Sequence, residues 1–148
     1  MTNLNNQKNL KVSSIVVLIF AGFTLTRLIL ELCLGELNRM PLPEGAPDNT
    51  LLIAKIILFS FSCLLLLPQV FVGVKGILIA KKPNASKVHI IVAIALLACT
   101  VLTLGTPVIN ILNNVSVLDN LGDLFGIMLD AIVLYEYVKY AVIVSKQA

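Results

Sequence analysis

The chain has 148 residues, of which 58% are hydrophobic and only 13% are charged. A water-soluble domain of this length needs a solvated surface and typically carries about 25% charged residues. The composition therefore excludes an ordinary soluble domain and predicts an integral membrane protein whose exterior is solvated by lipid. The length is that of one small domain, so we expect a single transmembrane domain over residues 1–148.

Four stretches are long enough to cross a bilayer as helices, since a span needs about 20 apolar residues at 1.5 Å each. We predict helices over about 12–34, 51–80, 88–109 and 121–144. The fourth stretch has a competing interpretation as an amphipathic helix on the membrane surface, because it contains four charged residues: Asp123, Asp130, Glu136 and Lys139. The predicted fold class is all-α, an integral membrane four-helix transmembrane bundle with up-down topology.

The connections between these helices differ in composition. Residues 35–50 contain Pro41, Pro43 and Pro47, which oppose helix formation and predict an extended outer loop. Residues 81–87, KKPNASK, form a short and basic inner loop. Short connections favour antiparallel packing of successive helices.

Lysines mark one end of the predicted bundle. With four spans, all of the following residues fall on the same side: Lys8, Lys11, Lys75, Lys81, Lys82, Lys87, Lys139 and Lys146. Basic residues near helix ends prefer the cytoplasmic side, so we predict that both termini are cytoplasmic. We also expect Tyr135, Tyr137 and Tyr140 to anchor this end at the membrane interface. The expected location is the cell membrane, as a multi-pass protein of a bacterial plasma membrane.

Several ionisable side chains are predicted at membrane depth, where an ionised group costs about 2.5–3.5 kcal/mol unless it is paired or wet. Our hypothesis is an intramembrane charge cluster of Arg27, Glu31, Lys55, Asp123 and Asp130. At 100° per residue, Asp119, Asp123 and Asp130 share one face of the fourth helix. The cluster has two interpretations, an ion or proton path and a set of buried pairs that fixes helix order. The structural interpretation is favoured because charges of opposite sign are available at similar depth.

One specific pair follows from counting along the helices. Arg27 lies sixteen residues after Lys11, and Asp130 lies sixteen residues before Lys146. If both lysines lie at the same depth, Arg27 and Asp130 do as well, and we predict an ion pair between them. Lys55 is then a partner for Asp123 or Glu31.

Small and helix-breaking residues predict packing features. Gly122 and Gly126 form a G-x-x-x-G spacing that permits close approach of another backbone, and packing within the bundle is favoured over dimerisation. Pro68 is expected to kink the second helix and free a carbonyl that Gln69 or a neighbouring hydroxyl could satisfy. A packing bend is favoured there over a binding site.

Motifs that specify chemistry are absent from the sequence. Cys33, Cys63 and Cys99 are widely spaced in apolar runs without a C-x-x-C pair, which predicts inert buried thiols. His89 is the only histidine, so we expect an interfacial side chain and no metal site. Without a P-loop, a nucleotide fingerprint or a hydrolase motif, we expect no enzyme, no cofactor and no nucleic-acid partner.

Three functional classes remain, and the preferred one is a non-enzymatic protein that binds or stabilises a membrane partner. The alternative is a small ion or solute transporter or channel that uses Arg27, Glu31 and Asp130, as an oligomer. A lipid-modifying enzyme ranks last because no convergent catalytic set is visible. The expected partners are the lipid bilayer and either another membrane protein or further copies of this chain.

Overall fold

A computed structural model describes residues 2–34, 49–83, 86–114 and 117–146, without the side chains of residues 2, 3, 31, 58, 61 and 119. These residues form helices and no strand: α1 (Thr2–Leu34), α2 (Thr50–Lys81), α3 (Val88–Thr103), α4 (Gly105–Leu112) and α5 (Val117–Ser145). Only Leu104 separates α3 from α4, so the five helices make four rods. Most of the predicted outer loop and part of the inner loop (35–48 and 84–85) lie outside the described residues.

The all-helical class is confirmed, and three helical stretches are long and apolar enough to cross a membrane: Leu4–Leu34, Thr50–Lys81 and Val88–Leu112. The fourth rod, α5, is long enough to span a membrane, but charged residues are spread along the whole length of this continuous helix. By composition alone it does not qualify as a span.

The helix boundaries differ from the predicted ones by up to four residues, apart from two larger differences: the start of α1 and a break in the third rod. α1 begins at Thr2, ten residues before the predicted start, because no proline or glycine interrupts the chain before Gly22. The third rod breaks at Leu104, since Pro107 has no N–H to donate to the carbonyl of Thr103 and its ring crowds that carbonyl. Proline is tolerated in the first turn of a helix, so the rod continues at once as α4, which extends to Leu112.

The rods pack in a ring. α1 lies against α2 and α5, α3 lies against the same two helices, and α4 continues along α5. One half of the ring is filled by a core of buried side chains: Leu10, Val17, Val72, Ile79, Ala80, Ile90, Ala93, Leu96, Leu134, Tyr137, Ala141 and Val144. We call this the closed half. The end of the closed half that is farther from the middle of the bundle lies beside four exposed lysines: Lys11, Lys81, Lys87 and Lys139. We call this end of the bundle the basic end.

Three helices meet closely at Gly76 of α2. A Cβ atom at this position would collide with Oγ of Ser14 on α1 and would lie 2.5 Å from Cε2 of Tyr137 on α5. The Ser14 hydroxyl donates a 2.6 Å hydrogen bond to the carbonyl of Leu10, which fixes its position. Glycine at position 76 is what allows α1 and α5 to approach α2 at the same level.

Tyr137 is the largest fully buried side chain of the core, with no exposed surface. Its ring packs edge-on to that of His89, with ring centroids 6.2 Å apart. Both side chains are therefore enclosed by the bundle, whereas an interfacial anchor has to reach the headgroup region; the depth at which they lie stays a prediction. Tyr135 is 58% exposed, and a rotation of about 200° between positions 135 and 137 turns Tyr137 inward.

Candidate functional site

The other half of the bundle contains a cavity of about 700 Å³ walled by α1, α2, α3 and α5. Its polar lining includes Thr24, Thr26, Arg27, Gln69, Thr103, Asp123 and Asp130. Its apolar lining comprises Phe20, Phe23, Leu30, Leu65, Leu96 and Ile127. We call this space the polar cavity. Its size is within the range of about 300–1,000 Å³ that is typical of small-molecule sites.

The floor of the polar cavity, where the closed half begins, is a hydrogen-bonded pair. Nε2 of Gln69 donates to Oδ2 of Asp130 across 3.2 Å, and Gln69 is only 7% exposed. In this arrangement the NH₂ group of the amide faces Asp130 and its Oε1 faces away. Among the described residues, no group donates to Oε1 of Gln69 or to Oδ1 of Asp130, although both atoms are buried.

At the opposite end of the polar cavity, Arg27 of α1 pairs with Asp123 of α5. The distance from Nη1 of Arg27 to Oδ1 of Asp123 is 3.3 Å, and the two side chains are 76% and 46% exposed. A pair this exposed stabilises a fold by about 1 kcal/mol at most. The pair marks the mouth of the cavity, where the guanidinium and the carboxylate largely neutralise each other.

The structure thus replaces the predicted Arg27–Asp130 pair by Arg27–Asp123. Ser14 and Tyr137 lie at the same level, since both face Gly76. Arg27 is thirteen residues beyond Ser14 (27 − 14), and thirteen residues before Tyr137 is position 124 (137 − 13), next to Asp123. The prediction equated the depths of Lys11 and Lys146. In this register position 140, and not position 146, lies opposite Lys11. The predicted register was therefore wrong by six residues (146 − 140), which is close to two helical turns.

Threonine hydroxyls add acceptor oxygens to the cavity wall. Thr24 donates to the carbonyl of Phe20 (3.0 Å), Thr26 to that of Gly22 (2.9 Å) and Thr103 to that of Thr100 (2.7 Å). Each hydroxyl proton is therefore used within its own helix. The oxygen lone pairs remain, so these three residues offer acceptors to anything that enters the cavity.

The floor lies near the middle of the rods. Gln69 is twelve residues before Lys81 at the basic end, and Asp130 is nine residues before Lys139. These separations correspond to about 18 Å and 14 Å along the helices, roughly half of a 30 Å hydrocarbon core. The polar cavity therefore extends from one end of the bundle to about its centre.

The glycines of the predicted packing motif line this cavity. A Cβ atom at Gly122 or Gly126 would meet no atom within 4 Å in the described part of the chain. The close approach expected there is found at Gly73 and Gly76, where added Cβ atoms would collide with α1. A G-x-x-x-G spacing permits a close contact without determining which face of the helix a neighbour covers.

Other predicted site residues are placed less centrally. Pro68 lies within the continuous helix α2, and the amide of Gln69 bonds Asp130 rather than a freed backbone carbonyl. Lys55 is half-buried on α2, and the described lining of the cavity does not include it. The side chains of Glu31 and Asp119 lie outside the described residues.

The cysteines are free, but Cys33 and Cys99 are exposed and Cys63 is half-buried, which differs from the expected burial. Cys99 lines the polar cavity. Neither Cys99 nor Thr24 was identified as a site residue from the sequence. The helical spacing of α1 could have identified Thr24. Residues 20, 23, 24, 27 and 30 are related by steps of three or four and therefore lie on the same face of the helix as Arg27.

Metal binding has no visible basis in the described residues, where no three His, Cys, Asp or Glu side chains gather in a way that could hold an ion. Comparison of the chain with protein-family models, curated proteins and solved structures finds no match. The polar cavity is therefore the feature on which a functional argument can rest.

Proposed function

We propose that this chain is a small, non-enzymatic, multi-pass membrane protein that binds a membrane partner in the polar cavity. One observation carries the proposal: a cavity of about 700 Å³ runs between the rods and ends at the buried pair of Gln69 and Asp130. Concave sites with apolar walls and a few convergent polar groups are typical of binding sites.

The packing of α5 supports a fourth span. This helix lies along both α1 and α3, as the other rods lie along their neighbours. Asp123 and Asp130, two of the charges that count against α5 by composition, face the polar cavity. Charges turned toward a wet interior are compatible with a transmembrane helix. We therefore infer a four-helix transmembrane bundle with four membrane crossings.

The lysines support the orientation. Those at positions 8, 11, 75, 81, 82, 87, 139 and 146 are all exposed, and they lie toward the end of the bundle where the chain begins and α5 finishes. By the positive-inside rule this end faces the cytoplasm, so both termini are cytoplasmic and the polar cavity opens outward from the cell membrane.

The experiment uses Cys99 as a reporter inside the cavity. In a Cys33→Ser/Cys63→Ser variant, a membrane-impermeant maleimide added to intact cells should modify Cys99 slowly, because the bound partner shields it. After purification and reconstitution into defined lipid, modification should be about tenfold faster, the factor that corresponds to a partner occupancy of roughly 90%. The measurement is the rate of modification followed by mass spectrometry.

The matched control retains Cys33, which is exposed but is not among the described residues that line the cavity. A Cys63→Ser/Cys99→Ser variant should be modified from outside at the same rate in both preparations. Equal ratios of Cys99 to Cys33 rates in cells and in defined lipid would contradict a bound partner. Modification of both cysteines only after cell lysis would contradict the orientation.

Transport is the second candidate, favoured by the depth of the floor. Secondary transporters bind their substrates near the bilayer midplane, and Asp130 would lie at that depth in the inferred four-span bundle. The closed half argues against an open path, since its core side chains fill the bundle on the cytoplasmic side. We expect proton flux through liposomes carrying the wild-type protein to equal that of empty liposomes. Flux that is present in the wild type and lost in Asp130→Asn would instead favour transport.

A further inference from the structure

The hydrogen-bonding character of the floor of the polar cavity is one-sided. Oε1 of Gln69 and Oδ1 of Asp130 are buried acceptors that receive no hydrogen bond from the described residues. Thr24, Thr26 and Thr103 contribute further oxygens whose protons are already used within their helices. A buried polar atom without a partner costs about 1–3 kcal/mol, so the floor favours an occupant that donates hydrogen bonds.

The described lining of the cavity also carries an unbalanced negative charge at its floor. Arg27 and Asp123 offset each other at the mouth, which leaves the carboxylate of Asp130 without a cation at the floor. Gln69 donates a hydrogen bond to that carboxylate but adds no charge. A positive group that reaches the floor would therefore gain an attractive charge beside two buried acceptor atoms.

The walls add an apolar requirement. Between the floor and the mouth, the cavity is lined by Phe20, Leu65 and Ile127 together with other apolar side chains. An inorganic cation would leave this surface without a partner, whereas an alkyl chain would cover it.

From these three features we propose that the polar cavity binds an amphipathic organic cation with N–H donors, a primary or secondary ammonium attached to an apolar chain. The ammonium lies at Asp130 and Gln69, and the chain lies along the walls toward Arg27. This inference rests on the proposed binding function and names the chemistry of the partner. A free alkylamine has this chemistry in full. The headgroup of phosphatidylethanolamine shares the primary ammonium, but a phosphate separates it from the acyl chains.

The test compares probes that differ in one property. The protein with Cys99 as its only cysteine is placed in nanodiscs of phosphatidylcholine, whose quaternary nitrogen has no N–H. Hexylammonium should slow the modification of Cys99 in a saturable manner. Hexyltrimethylammonium, which has the charge without the donors, and hexanoate, which has the opposite charge, should protect about tenfold more weakly or not at all, since hydrogen bonds to charged groups contribute on that order.

Variants identify the floor as the site. Asp130→Asn should weaken protection by hexylammonium about tenfold to a hundredfold. Glu136→Gln is the matched control: the same acid-to-amide change on the same helix, at a residue that bonds Lys139 and lines a separate cleft between α1 and α5. It should leave protection unchanged. Thr24→Val removes one acceptor oxygen at nearly constant shape and should weaken protection a few-fold, even if Asp130→Asn fails to fold.

The outcomes separate the two proposals and the two sources. Protection by phosphatidylethanolamine nanodiscs without added amine indicates the lipid headgroup, and protection by hexylammonium alone indicates a free amine. Equal or stronger protection by the quaternary or anionic probe overturns the ammonium inference. If Cys99 is shielded in native membranes but no amine protects it, the binding function stands and the inference fails. If Cys99 is shielded by nothing, both fail.

Discussion

Replacing Tyr137 by alanine is expected to lower the free energy of unfolding by about 3–5 kcal/mol, the cost typical of deleting a large buried ring. Tyr137 has no exposed surface and contacts α2 at Gly76 and α3 at His89. Its removal opens a hole where three helices meet, and the rigid helices can only partly close it. Unfolding of the purified protein by sodium dodecyl sulfate in mixed micelles, followed by circular dichroism, measures the difference.

Tyr137→Phe is the matched control for this substitution. The hydroxyl is buried and accepts or donates no hydrogen bond within the described residues. Removing an unpartnered polar group while keeping the ring should leave stability unchanged or raise it by about 1 kcal/mol. A phenylalanine variant as unstable as the alanine variant would show that the hydroxyl, rather than the ring, stabilises the core.

Gly76→Ala is expected to lower the free energy of unfolding by about 1–3 kcal/mol, the range for an overpacked core. The added methyl group would collide with Oγ of Ser14 and lie 2.5 Å from the ring of Tyr137, so α1 or α5 must move away from α2. This loss appears despite the gain of up to about 1 kcal/mol that alanine brings over glycine inside a helix. The same detergent titration measures it.

Gly22→Ala provides the opposite expectation from the same chemical change. Gly22 is exposed on α1, and a Cβ atom there meets nothing within 4 Å in the described residues. Only the helix-propensity term remains, so stability should stay the same or rise by up to about 1 kcal/mol. If both alanine variants shift stability in the same direction, the close approach at Gly76 is not a determinant of the fold.

The sequence was sufficient for features that depend on one helix at a time. Hydrophobic length predicted the all-helical fold, and a rotation of 100° per residue placed Asp123 and Asp130 on one face, where both line the polar cavity. The same rotation per residue also indicates that Tyr135 and Tyr137 lie on opposite faces of α5, so that at most one of them can face lipid. The interfacial assignment did not use this, since it grouped the tyrosines by depth alone.

Features that depend on the register between helices could not be obtained from the sequence. Whether Arg27 meets Asp123 or Asp130 is decided by the contact of Ser14 and Tyr137 with Gly76. Ser14 is thirteen residues from Arg27 (27 − 14), and Tyr137 is fourteen residues from Asp123 (137 − 123). Likewise, the spacing of Gly122 and Gly126 does not reveal that their face borders a cavity. Gln69 was expected to serve the backbone near Pro68, and only the packing of α2 and α5 brings it to Asp130.

The polar cavity is open at one end and ends at the closed half, and this shape affects how a bound cation responds to the membrane voltage. In the proposed transmembrane orientation, the voltage across the bilayer falls mainly over the region that excludes water, which is the core around Tyr137. A charge moved through the whole voltage changes energy by about 2.3 kcal/mol per 100 mV, but an ion travelling from the mouth to Asp130 crosses little of that drop. Occupancy of the floor should therefore respond to the outside concentration of a cation and only weakly to the polarisation of the cell.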